Sequence, residues 1–160
     1  MVPIQLKRLL ENESGINWLK CFSVVWVGGS LLSSNLIRIA RSHKIRLAPC
    51  YGTTETMAMV TALKPQDFLK GHNDLGAPLI DIELRLSKNN ALEIRTSRLA
   101  LTLWQDNKTK GVRNKDGWWQ SADAAKIIER NNQQRLLIKG RLDNAIHSGA
   151  ETIFPERLQE

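Results

Sequence analysis

Two cysteines, Cys21 and Cys50, are all that 160 residues carry. Their spacing suits neither a zinc site nor a CxxC redox pair, and two thiols are too few for a disulfide scaffold. A reducing cytoplasm is the expected setting, with both thiols as small core residues. Long apolar runs are also missing. The longest, at 22–27, has strand length, far short of the roughly 20 residues that span a bilayer. After Met1 come Lys7, Arg8 and Glu11 without the apolar stretch of a signal peptide. Internal repeats and low-complexity segments are absent.

What is present is a globular composition. The chain is 42% apolar and 24% charged, which are ordinary values. A chain of this length buries about 70% of its unfolded surface, so a disordered tail and a collagen-like chain are excluded. The net charge is +7, and basic chains often bind nucleic acid or other anions. The bias lies in residues 1–50, with seven Lys/Arg against two Asp/Glu. Arg38, Arg41, Lys44 and Arg46 account for most of it. A short cluster without interleaved aromatics reads as a solvated helix face. The competing reading, a nucleic-acid module using 38–46, requires an affinity that falls steeply with salt.

The texture of the chain changes near residue 64. Before it, helical and strand patterns alternate. Pro3 suits a first helical turn, Leu6, Leu9 and Leu10 follow at helical spacing, and Gly15 reads as a stop. Residues 22–27 read as a strand buried on both faces. Ser33, Ser34 and Asn35 are capping residues ahead of Leu36, Ile37, Ile39 and Ala40. A second short strand is expected at 45–48. This order predicts an α/β layer with parallel strands. After Pro65, short strands and turns dominate. Ile80, Ile82, Leu84 and Leu86 alternate with Asp81, Glu83 and Arg85. Further strands are expected at 92–96, 124–129 and 136–139, making an antiparallel, partly open sheet or a barrel. A strand pair at 145–147 and 152–154 follows, and Pro155 opens a helix.

Four strings could carry chemistry. Gly28-Gly29-Ser30 sits between a strand and a helix, where glycines let backbone N–H groups approach an anion. Tyr51-Gly52-Thr53-Thr54-Glu55 stands at a strand end and packs an aromatic face, two hydroxyls and a carboxylate into five residues. Such a set can stack a base, bind phosphate and hold Mg²⁺, and loops at the carboxyl ends of parallel strands are where such sheets bind ligands. Asp116 to Asp123 (DGWWQSAD) places Asp123 at the end of a turn, able to accept from ribose hydroxyls or merely to brace the turn. Lys139-Gly140-Arg141-Leu142-Asp143 reads alone as a β-turn with a surface ion pair.

In order along the chain, VGGS, YGTTET, LGAPL, DGWWQSAD and KGRLDNAIHSGAETIFPE resemble successive motifs of the acyl-adenylate-forming enzymes, the superfamily of acyl-CoA synthetases, peptide-synthetase adenylation domains and luciferases. The likeness runs from Val2 to Glu160. Within the superfamily, APCYGTTET is most similar to the o-succinylbenzoate–CoA ligases of menaquinone and phylloquinone synthesis. The resemblance implies activation of a carboxylic acid by ATP as acyl-AMP, then transfer to CoA, with Mg²⁺ present. ATP/AMP, the acid and CoA are the implied partners, without nucleic acid or a membrane span. Gly28, Gly29 and Ser30 would line the adenine and acyl pocket. Tyr51 would pack on adenine, Gly52 and Thr53 would border the acyl pocket, Thr54 would bind the α-phosphate and Glu55 would hold Mg²⁺. Asp123 and Arg141 would bind the ribose, Asp143 would be the hinge of a small lobe, and His147 would contact phosphate or CoA.

The implied fold is α/β plus β. Residues 1–63 would end an α/β subdomain, 64–140 would form a β-barrel-like subdomain, and 141–160 would hold the hinge and first strands of a small C-terminal α+β lobe. The sequence departs from the family at Ala122 and Ala150, where glycine is usual, and at His147, where lysine is frequent. The family's phosphate loop and catalytic lysine match nothing in the 160 residues. An internal segment that is inactive alone is therefore expected. The alternatives are another acyl-CoA synthetase, an adenylation domain, or a non-catalytic scaffold.

Overall fold

The computed structural model describes residues 1–105, 107–148 and 151–155. Two short helices open the chain, α1 (Pro3–Leu10) and α2 (Glu13–Lys20). Pro3 starts α1, the Gln5 side chain accepts from the Val2 N–H at 2.9 Å, and Leu6 and Leu10 face inward. Asn12 caps α2 by accepting from the Gly15 N–H at 2.7 Å. Gly15 is thus not a stop. It lies inside α2, where a Cβ would come within 2.2 Å of the Leu9 carbonyl oxygen, so its missing side chain lets the two helices touch.

Strand β1 (Val25–Val27) runs parallel to β2 (Leu47–Thr53), with α3 (Ser34–Ser42) between them. This is the expected parallel α/β unit. Ser33 caps α3 through its Oγ, 3.4 Å from the Leu36 nitrogen. β1 is shorter than the 22–27 run and is not buried on both faces, since Trp26 is 45% exposed. β2 then pairs antiparallel with β3 (Ala58–Ala62), which pairs with β4 (Ala77–Pro78) beyond the short helix α4 (Pro65–Leu69).

The basic cluster has work inside the fold. Arg41 donates to the carbonyls of Phe68 at 2.8 Å and His72 at 2.7 Å, and to Asn73 Oδ1 at 2.8 Å, while lying 4.6 Å over the Phe68 ring. Arg46 donates to the carbonyls of Phe22 at 2.9 Å and Lys20 at 3.3 Å, satisfying acceptors at the C-terminal end of α2.

The second half is a four-stranded antiparallel sheet in the order β10-β9-β6-β5. Its strands are β5 (Glu83–Leu86), β6 (Ala91–Arg95), β9 (Trp119–Arg130) and β10 (Gln133–Arg141), with a separate hairpin of β7 (Thr102–Gln105) and β8 (Lys108–Gly111) inserted. Asn131 and Asn132 both take left-handed backbone (φ 52° and 57°), the turn a twisted two-residue hairpin needs. The sheet is open: among the described residues no ladder joins β5 to β10, so of the two expected forms the partly open sheet is found and the closed barrel is not. The strand expected from Ile80 starts later, at Glu83. Ile80 is 92% exposed, whereas Ile82 and Leu84 are buried. A last hairpin, β11 (Ile146–Ser148) with β12 (Glu151–Ile153), matches the expected pair. The helix expected after Pro155 and the Ala150 position lie outside the described residues.

Two apolar clusters result. One gathers Leu6, Leu19, Val27, Ala40, Leu47 and Phe68, among others, and the second centres on Val60, Leu84, Leu92, Ile94 and Leu136. Neither cysteine belongs to them, contrary to expectation: Cys21 is exposed and Cys50 half-buried. An ionic knot ties the halves. The Asp74 side chain, 1% exposed, meets Arg130 at 2.9 Å and Arg135 at 3.5 Å, and Arg135 also meets Asp67 at 3.2 Å. The LGAPL string belongs to the same seam. Leu75 N–H donates to the Leu136 carbonyl at 2.7 Å, and Leu136 N–H to that of Gly76 at 3.0 Å. Gly76 has φ +81°, and a Cβ there would stand 1.8 Å from the Ala62 carbonyl oxygen, so no other residue fits.

Candidate functional site

Between the two sheets lies a cleft of about 510 Å³. Its first wall is the end of β2 and the turn beyond it. Tyr51, Gly52 and Thr53 finish the strand, and a single 3-10 turn (Thr54–Thr56) carries Thr54 and Glu55 to the rim. Backbone geometry sets this wall. A Cβ on Gly52 would sit 2.3 Å from the Ala58 carbonyl oxygen. Thr56 is fully buried. Its Oγ1 accepts from the Thr53 N–H at 3.0 Å and has the carbonyls of Thr53 (2.9 Å) and Ala58 (2.8 Å) within reach of its one hydrogen. Met57 then takes a left-handed backbone, φ 58°, and the Ala100 N–H holds the Glu55 carbonyl at 2.8 Å. Gly29 and Ser30, from the β1–α3 turn, line the same cleft.

The opposite wall comes from β9 and β10, with Trp119, Ser121, Asp123, Gly140 and Arg141. Asp123 sits within β9, not at the end of a turn; the turn at Asp116-Gly117 is organised instead by Asn114 Oδ1, which accepts from Asp116 and Trp118 N–H groups at 3.0 and 2.9 Å. Tyr51 Oη donates to Asp123 Oδ2 at 2.5 Å, joining the walls. Ser121 Oγ accepts from the Asp123 N–H at 3.1 Å. The Arg141 guanidinium grips Asp143 through Nε at 2.9 Å and through Nη2, and its Nη1 stands 3.9 Å from Asp123 Oδ1. Burial, then the Asp123 carboxylate beside it, pushes the Tyr51 phenol well above its usual range. The Arg141 hydrogen bonds hold the exposed Asp143 carboxyl below the usual carboxylate range.

The cleft therefore gathers Gly29, Ser30, Tyr51, Gly52, Thr53, Thr54, Glu55, Asp123 and Arg141 out of four separate strings. Gly28 is not among them. It packs against Cys50, where a Cβ would lie 2.9 Å from Sγ, and lines a neighbouring recess. Asp143 reaches the cleft only through Arg141. His147 lies on β11, with its side chain outside what the structure describes. Residues that sequence reasoning passed over complete the walls. Leu31, Leu32, Leu75 and Ile138 supply apolar surface, and Trp119 and Ser121 stand beside Asp123. Trp119 and Ser121 were within reach of the DGWWQSAD string and Leu75 of LGAPL; Leu31, Leu32 and Ile138 carried no signal.

A polar atom in the first wall waits for a partner: Thr53 Oγ1 is buried with no hydrogen bond among the described residues. Glu55, half-buried at the rim, makes no ion pair among them. One carboxylate beside hydroxyls suits a cation held mainly by phosphate oxygens and water, as Mg²⁺ commonly is. It does not suit a caged metal, and no group of three or more His, Cys, Asp or Glu converges among the described residues.

Comparison with known proteins decides what this arrangement belongs to. No family model matches the chain. Over 159 residues it is 35% identical to the 2-succinylbenzoate–CoA ligase of Salmonella typhimurium, covering 99% of this chain and 32% of the relative. The Escherichia coli enzyme of the same name is 33% identical over the same span and coverage. The solved structure of wild-type E. coli MenE with a phenylether-linked analogue of OSB-AMS superposes with a TM-score of 0.74 at 33% identity, over 98% of this chain and 32% of that one. Over nearly its whole length, then, the chain is similar to ligases of this one name. It spans about a third of the length of these relatives. A Bacillus subtilis o-succinylbenzoate-CoA synthetase solved with ATP and magnesium ion shares the fold, with a TM-score of 0.77 at 19% identity over 96% of this chain and 33% of that one.

Proposed function

We propose that this chain forms the nucleotide-facing part of an acid–CoA ligase that activates a carboxylic acid as acyl-AMP and transfers it to CoA. The observation that carries the reading is the convergence of Tyr51, Thr53, Thr54, Glu55, Asp123 and Arg141 on one cleft. In this reading adenine lies against the Tyr51 ring and the apolar wall. Asp123 accepts from the ribose hydroxyls, with Arg141 beside it. Thr54 donates to the α-phosphate, and the unpartnered Thr53 hydroxyl is available to the same ligand. Glu55 would hold Mg²⁺, which when bound offsets charge on the phosphate oxygens. The acid's carboxylate oxygen forms a bond to the α-phosphorus as pyrophosphate leaves. The CoA sulfur then bonds to the acyl carbon and AMP departs. Donors fixed before reaction lower the barrier because they need not reorganise as charge develops.

The names of the relatives make 2-succinylbenzoate the proposed acid. Asp143 is proposed as the hinge of a small lobe and His147 as a contact to phosphate or CoA. The nucleic-acid alternative is less favoured, because Arg41 and Arg46 of its four basic residues are engaged with backbone carbonyls and it leaves the cleft unexplained. The deciding experiment is an AMP titration followed by amide shifts, with Asp123→Ala as control. Binding that disappears in the variant is expected. No binding by the wild-type chain would favour a scaffold that no longer handles nucleotide.

A further inference from the structure

Stacking of a base needs only an aromatic ring, yet the ring in this cleft carries a hydroxyl with a specific partner. Tyr51 is the chain's single tyrosine. Its Oη donates to Asp123 Oδ2 at 2.5 Å across 72 positions of sequence, from one sheet to the other. The Asp123 side chain is only 12% exposed, so this charge-assisted bond is shielded from water. The carboxylate has about four acceptor positions. Tyr51 uses one on Oδ2, and Arg141 lies 3.9 Å from Oδ1. Acceptor positions remain on both oxygens for two further donors. Ser121 holds only the backbone N–H of Asp123, so the orientation of its carboxylate is set by the Tyr51 hydroxyl on Oδ2. Two adjacent ribose hydroxyls require that orientation, because both must be met at once.

We propose that the Tyr51 hydroxyl is a positioning residue that sets sugar specificity: it holds Asp123 in the rotamer that accepts both vicinal hydroxyls of a ribonucleotide. The proposal rests on the nucleotide reading above and assigns to the hydroxyl a task separate from that of the ring. Burial and the adjoining carboxylate keep the phenol protonated through the neutral range, so it remains a donor.

The test compares AMP with 2′,3′-dideoxy-AMP on the 160-residue chain by calorimetric or amide-shift titration. Wild type should prefer AMP by about tenfold or more, the scale expected for hydrogen bonds to a carboxylate. In Tyr51→Phe, AMP should weaken by roughly three- to tenfold while the dideoxy ligand is unaffected, so the preference collapses. An unchanged preference, or equal weakening of both ligands, overturns the role of the hydroxyl and leaves the nucleotide reading intact. Absence of AMP binding by wild type, or AMP binding indifferent to Asp123→Ala, overturns that reading and the proposal together. A second measurement needs no substitution. Biosynthetic 3-fluorotyrosine gives one fluorine resonance, from position 51 alone. AMP should shift it more than dideoxy-AMP does; equal shifts count against the proposal.

Discussion

The two walls of the cleft are held by different means. The β2 wall is a backbone construction: Gly52 admits no Cβ, Thr56 pins the carbonyls of Thr53 and Ala58, and Met57 turns left-handed. The β9–β10 wall is a side-chain construction, in which the Tyr51 hydroxyl holds the Asp123 carboxylate and Asp143 holds Arg141 beside it. A backbone-set wall has few alternatives, since each would strand a buried peptide group. A side-chain-set wall can exchange partners at small cost, as Arg141 could between Asp143 and Asp123. The first suits fixed contacts with phosphate, the second a site that must admit and release a sugar.

Substitutions at three levels should break or sharpen this contrast. The largest effect is expected at Asp74, which joins the walls from outside the cleft. Asp74→Ala takes from Arg130 its partner and leaves the buried Arg135 with Asp67 alone, and should cost about 3 kcal/mol, read as a lower urea midpoint. A loss under about 1 kcal/mol would mean the apolar seam alone holds the halves together. Thr56→Val keeps the shape and removes the hydroxyl, taking its acceptor from the Thr53 N–H and its one hydrogen from the facing carbonyls. It should cost about 1–3 kcal/mol and weaken AMP binding, whereas unchanged stability would show that the turn needs no side-chain support. Asp143→Ala should do least. Its carboxyl titrates below the usual range, so any stabilisation is present above about pH 4 and fades as pH falls through its lowered folded value. Full exposure to solvent screens the pair, so thermal melts at pH 7 should be the same as wild type within error. A clear fall at pH 7 that persists at pH 3 would mean Asp143 acts through contacts other than its charge.

Much of the local structure was legible. Ser33 as a cap, the parallel β1–β2 unit and the last strand pair each follow from residue chemistry within a few positions. The misreadings share one cause, which is that the deciding neighbour lay elsewhere. Gly15 resembles a helix stop until Leu9 of the adjoining helix is seen to occupy the space of its missing Cβ. The run at 22–27 is apolar enough for a doubly buried strand, but β1 is short and leaves Trp26 exposed. Arg41 and Arg46 read as a solvated face, and their acceptors are carbonyls about 25 to 30 positions away. Closure of a barrel depends on edge strands finding each other, and no periodicity encodes that.

By itself the sequence determined which residue types the cleft would contain and the order in which the chain delivers them. Glycines with no room for a Cβ, hydroxyls next to a carboxylate and a lone tyrosine restrict both backbone and chemistry wherever they fall. Only the tertiary structure decided that Tyr51 and Asp123 share a proton-bearing contact, that Gly28 turns away from the cleft, and that Arg141 stands between two carboxylates. Those outcomes depend on how two sheets meet across a seam of Leu75, Leu136 and the Asp74 ion pairs. Contacts at such separations are set by the packing of whole layers, which short-range spacing does not contain.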